Sequence, residues 1–303
     1  MPSPGDDLRA DVSVTELTAD VLRGWKLPAL TGTGKASRGD VHVVGVAAGT
    51  PGAAILAGIS ALRVGTGRIT LAVAGSVAPA VAVTVPECGV VGLPQAESGS
   101  VLGDAAEALA DEVSSSDAVL IGSGLDDPAE TADLLRRLAP AMGHDTAVVL
   151  DAYALGVLHD IPEVTEKCSG RLVLTPNQQE LERLLELDVG DLELEQLPQA
   201  VSAAARRFGA VVTCQNVIAG PETPVWQCGP NCIGLGTSGS GDVLAGAVLG
   251  LLGRGAEPAQ AACWATYLHL NAGHRLAGRI GTVGFLAREL TDELPVQLEE
   301  LHR

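Results

Sequence analysis

The chain has 303 residues, room for one large domain or two small ones. Its 19 basic and 37 acidic residues leave a formal charge of −18, which argues against a nucleic-acid binder with a basic face and against docking on an anionic membrane. Hydrophobic residues are 47% of the chain and aromatics only 2%, so whole-chain disorder is excluded and the core must be built from Ala, Val and Leu.

Residues 1–12 are polar and read as a frayed tail, without the basic and apolar regions of a signal peptide. Residues 13–25 suggest a short helix. The β-branched run Val41–Val46 is a buried strand, followed by a Gly/Pro loop over Gly45–Gly52, a small-residue helix over Ala53–Val64 and a strand over Arg68–Val73. Val101–Ser114 puts Leu102, Ala105, Ala106, Leu109 and Val113 on one helical face. Strands at Ala118–Ile121, Ala147–Leu150, Leu172–Leu174 and Ala210–Thr213 alternate with helices at Pro128–Met142, Gln178–Leu187 and Pro198–Phe208. Val217–Ala219 and Val225–Gln227, split by Gly220-Pro221, predict a hairpin. The last third is helical, over Val243–Leu252, Pro258–Leu276 and Phe285–Leu294. No apolar stretch reaches the ~20 residues of a membrane span, so a cytoplasmic protein is expected.

Short apolar strands alternating with helices imply an α/β fold with a mostly parallel sheet covered on both faces. No linker or repeat divides the chain, so residues 13–303 read as a single domain with a small hairpin appendage. Ligands of such sheets bind outside the carboxyl ends of the strands. The residues there are Gly122-Ser123-Gly124-Leu125-Asp126, Asp151-Ala152-Tyr153, Thr175-Pro176-Asn177-Gln178-Gln179-Glu180 and Cys214-Gln215-Asn216. Each cluster alone is also an ordinary set of turn residues.

The strongest motif runs from Gly234 through Thr237-Ser238-Gly239-Ser240-Gly241-Asp242 to Gly246, a glycine-rich loop entering an apolar helix. Loop glycines and a helix start aim amide N–H groups at one anion, and phosphate is the natural occupant. No lysine follows the glycines and no strand directly precedes them, so this is neither a Walker loop nor a Rossmann fingerprint. Asp242 beside such a cradle is either a helix cap or a general base aimed at a hydroxyl that attacks phosphorus. The loop Gly45–Ala54 is either a plain tight turn or a second close approach of backbone to ligand.

Cys228 and Cys232 are four apart; with remote histidines they could hold zinc, but buried small hydrophobes are the favoured reading for all six cysteines. His269 reads as packed or capping, and Trp264 and Tyr267 as core or subunit contact.

Taken together, Lys35–Gly45, Gly52–Ala57, Ala61–Gly67, Ile121–Leu125, Leu150–Ala152 with Leu155, Leu174–Pro176 with Glu180 and Leu184, Gly234–Gly246 and His269–Gly273 resemble, in order and spacing, the ADP-dependent (S)-NAD(P)H-hydrate dehydratases. These carbohydrate kinase-like enzymes belong to the ribokinase-like superfamily. The resemblance implies a three-layer α/β/α fold and a hydro-lyase that restores NADH or NADPH from its hydrate. ADP phosphorylates the unwanted hydroxyl, phosphate is eliminated, and AMP is released, with Mg²⁺ accompanying the phosphates. It implies Asp242 as the catalytic base, Ala53, Gly124, Asn177 and Asp242 as substrate contacts, and Cys214, Gln215, Asn216, Gly239, Ser240 and Gly241 as nucleotide contacts. It also implies a homo-oligomer, often a tetramer. Asn177 stands where the family usually has His, Gln178-Gln179 where it has Pro-Gly, and Thr213-Cys214-Gln215-Asn216 where it has a Lys-Gly-led segment. A small-molecule kinase of the same superfamily would use Asp242 equally, and a nucleotide binder without catalysis is the remaining alternative.

Overall fold

The computed structural model describes residue 8 and residues 12–30 and 32–303. The expected frayed tail thus lies almost wholly outside the described residues. The elements are, in chain order, β1 (Val14–Glu16), α1 (Ala19–Gly24), β2 (Asp40–Val46), α2 (Pro51–Arg63), β3 (Arg68–Ala74), α3 (Ala78–Thr84), β4 (Gly89–Leu93), α4 (Ala106–Ser114), β5 (Ala118–Ile121) and α5 (Pro128–Leu138). There follow β6 (Ala147–Leu150), α6 (Tyr153–Gly156), α7 (Pro162–Lys167), β7 (Leu172–Leu174), α8 (Gln178–Leu184), α9 (Leu197–Phe208), β8 (Val211–Cys214), β9 (Val217–Ala219), β10 (Val225–Gln227), α10 (Ser240–Gly253), α11 (Pro258–Arg279) and α12 (Ala287–His302).

The strands form one ten-stranded sheet in the order β1-β10-β9-β8-β7-β6-β5-β2-β3-β4. Every neighbouring pair from β4 to β8 is parallel. Only β9 runs against the others, antiparallel to both β8 and β10, while β1 pairs in parallel with β10. The hairpin predicted as an appendage is therefore the extension of the main sheet. Its first strand is buried throughout and its second partly, and β1 closes the edge beyond it.

Successive strand residues face opposite layers, as the pleat requires. Val43, Leu71, Leu120, Val149, Val173 and Val211 join the core under α1, α2, α10, α11 and α12. Their neighbours Val44, Ala72, Ile121, Leu150, Leu174 and Val212 join the core under α4 through α9. Between α2 and α10 the first layer packs by backbone proximity. A methyl group at Gly246 of α10 would overlap the Ala57 carbonyl of α2, and one turn on at Gly250 it would lie 2.6 Å from the Ala61 carbonyl. The glycine surplus is used here to bring two helices together.

The stretch read as one helix over 13–25 is β1 followed by α1, with Thr18 capping the helix. The helix expected over Phe285–Leu294 starts later and ends at His302, running through Pro295, because Leu290, Leu294, Leu298 and Leu301 continue one buried stripe past it.

Candidate functional site

Chain order reverses between β2 and β5. From β2 the chain steps outward to β3 and β4, and it returns on the other side at β5. The crevice beyond the carboxyl ends of these two strands is the expected ligand position. Here the Ala47 amide and the Thr50 hydroxyl both donate to the Gly124 carbonyl, at 2.9 and 2.7 Å. This brings Gly124 against Ala53, so the two predicted substrate contacts are adjacent.

Next along the sheet, Asp151 follows β6 and Thr175 follows β7. Asp151 is buried, and its two oxygens accept from the Ser123 hydroxyl at 2.7 Å and the Thr175 hydroxyl at 2.8 Å. Burial pushes its carboxyl above the usual range; the two hydroxyls and the Ala152 amide oppose that shift.

The start of α10 completes the group. Gly239 precedes the helix with φ +87°, and a side chain there would press on Leu56 and Ala287. The Ser240 amide turns back to the Thr237 carbonyl, while those of Gly241 and Asp242 donate to no described residue. Two free amides at the head of a 14-residue helix suit a phosphate. Asp242 is half-buried beside them. Desolvation, reinforced by the negative charge of Asp151 and opposed by the Ser123 hydroxyl, pushes its carboxyl up to about 7. His269 is buried on α11 with Nε2 3.0 Å from the Ser240 hydroxyl, and burial holds it down at about 4. A neutral imidazole thus pins the helix start to α11.

A cleft of about 400 Å³ opens beside this helix start. Asn177, Gln215, Ser240 and Gly241 line it, together with Gln178, Asn231 and the apolar Ile233, Leu235, Leu244 and Leu270; no Lys or Arg does. Phosphate here would be held by amides rather than by side-chain cations. Asn177 caps α8. Its side-chain oxygen accepts from the Glu180 amide at 3.0 Å, and Glu180 accepts from the Asn177 amide at 2.9 Å. Burial raises the Glu180 carboxyl. The Cys214 thiol lies in the core, where burial pushes it well above the usual thiol range, which leaves only its backbone near the cleft. Asn216 is buried and its side-chain amide donates to the carbonyls of Cys228 and Gly229, so it ties two chain segments together.

Ser123, Asp151 and Thr175 were visible in the sequence only as residues that follow strands. Their convergence on one carboxylate, and the presence of Gln178 and Asn231 in the cleft, depend on strand order. Among the described residues no three His, Cys, Asp or Glu side chains are placed to hold a metal ion. Cys228 and Cys232 are buried in the core.

The family model described as NAD(P)H-hydrate dehydratase matches residues 41–296. The ADP-dependent (S)-NAD(P)H-hydrate dehydratase of Xanthomonas campestris pv. campestris is 40% identical over 96% of this chain and 98% of its own. The protein of the same name from Bacillus subtilis is 30% identical over 81% of this chain and 83% of its own. A bifunctional NAD(P)H-hydrate repair enzyme of Moorella thermoacetica is 35% identical, and the match covers 54% of its length. Among solved structures, the ADP/ATP-dependent NAD(P)H-hydrate dehydratase from Bacillus subtilis, co-crystallised with ATP and Mg²⁺, superposes with a TM-score of 0.79. It shares 24% identity, over 96% of this chain and all of that one. A ribokinase-like superfamily protein from Enterococcus faecalis V583 gives 0.78 at 21% identity, over 97% and 99%.

Proposed function

Since the chain belongs to the NAD(P)H-hydrate dehydratase family, we propose that it dehydrates (S)-NADHX and (S)-NADPHX to NADH and NADPH at the expense of ADP. The observation that carries this reading is a half-buried carboxylate titrating near 7, set beside two free amides at the head of α10. Asp242 takes the proton of the substrate hydroxyl as its oxygen attacks the β-phosphorus of ADP. The P–O bond to AMP breaks, and AMP leaves. The amides of Gly241 and Asp242 face the charge that builds on the transferring phosphoryl group. The new C–O–P linkage then breaks as inorganic phosphate departs and a proton leaves the neighbouring ring carbon, which restores the dihydronicotinamide. Conversion of hydroxide into phosphate as leaving group is the purpose of the nucleotide.

Ala53, Gly124 and Asn177 are assigned to the hydrated nucleotide. Gln215, Gly239, Ser240 and Gly241 are assigned to ADP, with Cys214 and Asn216 contributing backbone. Mg²⁺ would shield the phosphate charge when bound; among the described residues no group of three His, Cys, Asp or Glu side chains is placed to hold it. The enzyme is further proposed to be a lyase of the cytoplasm acting as a homo-oligomer, a tetramer by resemblance; no described helix is long and apolar enough to cross a membrane. The test is to mix the protein with ADP, Mg²⁺ and NADH hydrate and follow dihydronicotinamide absorbance, AMP and phosphate. Recovery of all three in equal amounts is expected. No recovery from folded protein overturns the reading, and accumulation of a stable phosphorylated compound reassigns it as a kinase.

A further inference from the structure

Three side-chain amides cross the cleft in a directed chain. The Gln178 Nε2 group donates to the Leu192 carbonyl at 2.8 Å. The Gln178 Oε1 atom accepts from Gln215 Nε2 at 3.1 Å, and Gln215 Oε1 accepts from Asn231 Nδ2 at 2.6 Å. A backbone carbonyl can only accept, so the anchor at Leu192 sets the orientation of every amide after it. Gln215 is held for this role at φ +54°, a left-handed conformation that a non-glycine residue adopts at some strain. The chain ends at Asn231, a residue of the cleft lining whose Oδ1 atom accepts from no described residue. Beside it are Cys232, Leu235 and Ile233, the last 72% exposed, an apolar surface suited to the face of a purine.

We propose that this amide relay reads the base of the nucleotide, with Asn231 Oδ1 accepting from the exocyclic amino group of adenine, and Gln178 and Gln215 acting as positioning residues that keep that oxygen turned to the ligand. The proposal rests on the ADP-dependent reading above and adds base selectivity to it. A 6-oxo purine presents an oxygen in place of the amino group, so it loses a hydrogen bond and sets two acceptors face to face.

Calorimetric binding of ADP, IDP and 2′-deoxy-ADP to the full chain tests this, with Asn231→Leu and Gln178→Leu as variants. The parent binds ADP about tenfold more tightly than IDP, the effect of one hydrogen bond, and treats 2′-deoxy-ADP like ADP. Asn231→Leu brings ADP and IDP level, and Gln178→Leu narrows the gap, a ratio that simple loss of stability does not change. The proposal is overturned by a parent ratio near one, by a ratio that survives Asn231→Leu, or by discrimination that falls on the 2′-hydroxyl instead. Hydrate repair with no ADP/IDP preference removes the relay and leaves the functional reading standing. Preference without repair does the reverse.

Discussion

A carboxylate in the first turn of a helix is ordinarily favoured in its charged form by the amide dipoles. Asp242 goes the other way, because it is half-buried and shares its surroundings with Asp151. A base must be deprotonated to act, so the rate of hydrate repair should rise with pH through about 7 and then level off. A profile flat down to pH 5 contradicts that role. Asp242→Asn keeps the shape and removes the base; repair should fall at least ~10²-fold while ADP still binds. Stability follows the same shift. The native state holds this proton up to about 7, whereas the unfolded chain releases it near the ordinary aspartate value of 3.8. Between those values the folded parent carries more protons, so its stability declines as pH rises. The Asn variant lacks this decline, and thermal melts at pH 5 and pH 8 should show it gaining on the parent at the higher pH.

At the scale of elements, α2 and α10 are held at close range by Gly246 and Gly250. Gly246→Ala should destabilise by about 1–3 kcal/mol, the usual effect of overpacking, visible as a lower urea midpoint with unchanged slope. Since α10 carries Asp242 on its first turn, repair should suffer in the same variant. Periodicity located the central strands Ala118–Ile121, Ala147–Leu150 and Leu172–Leu174 to the residue, because each is a short apolar run, buried throughout or, in Ala147–Leu150, at all but its first residue. It passed over α3 and β4, where Pro79 and the glycines of Gly89-Val90-Val91-Gly92-Leu93 blur the pattern and the edge strand is only partly buried. It also began α10 three residues late, since Ser240 and Gly241 are weak helix formers that the tertiary contact to His269 holds in place.

Across the whole molecule, the net charge of −18 opposes every anionic ligand that the cleft is proposed to take. Screening acts over about 8–10 Å at moderate ionic strength. Raising NaCl from low to physiological levels, at constant free Mg²⁺, should therefore lower the KM for ADP. A protein that grips phosphate with surface cations shows the opposite. A bound nucleotide should also raise the melting temperature, because a hundredfold excess over Kd adds about 2.7 kcal/mol of stability, which gives a readout independent of turnover.

Residue order alone determined the alternation of strands and helices, the layered α/β class, and the glycine-rich entry to a helix with Asp242 behind it. Those features are local, fixed by side-chain period and by what glycine permits at a helix start. Strand order was decided only by the tertiary structure, and with it the partners of Asp151, the shifted titration of Asp242 and the meeting of Gln178, Gln215 and Asn231. Burial and charge coupling depend on distance in space, and segments dozens of residues apart acquire that distance only when the sheet is assembled.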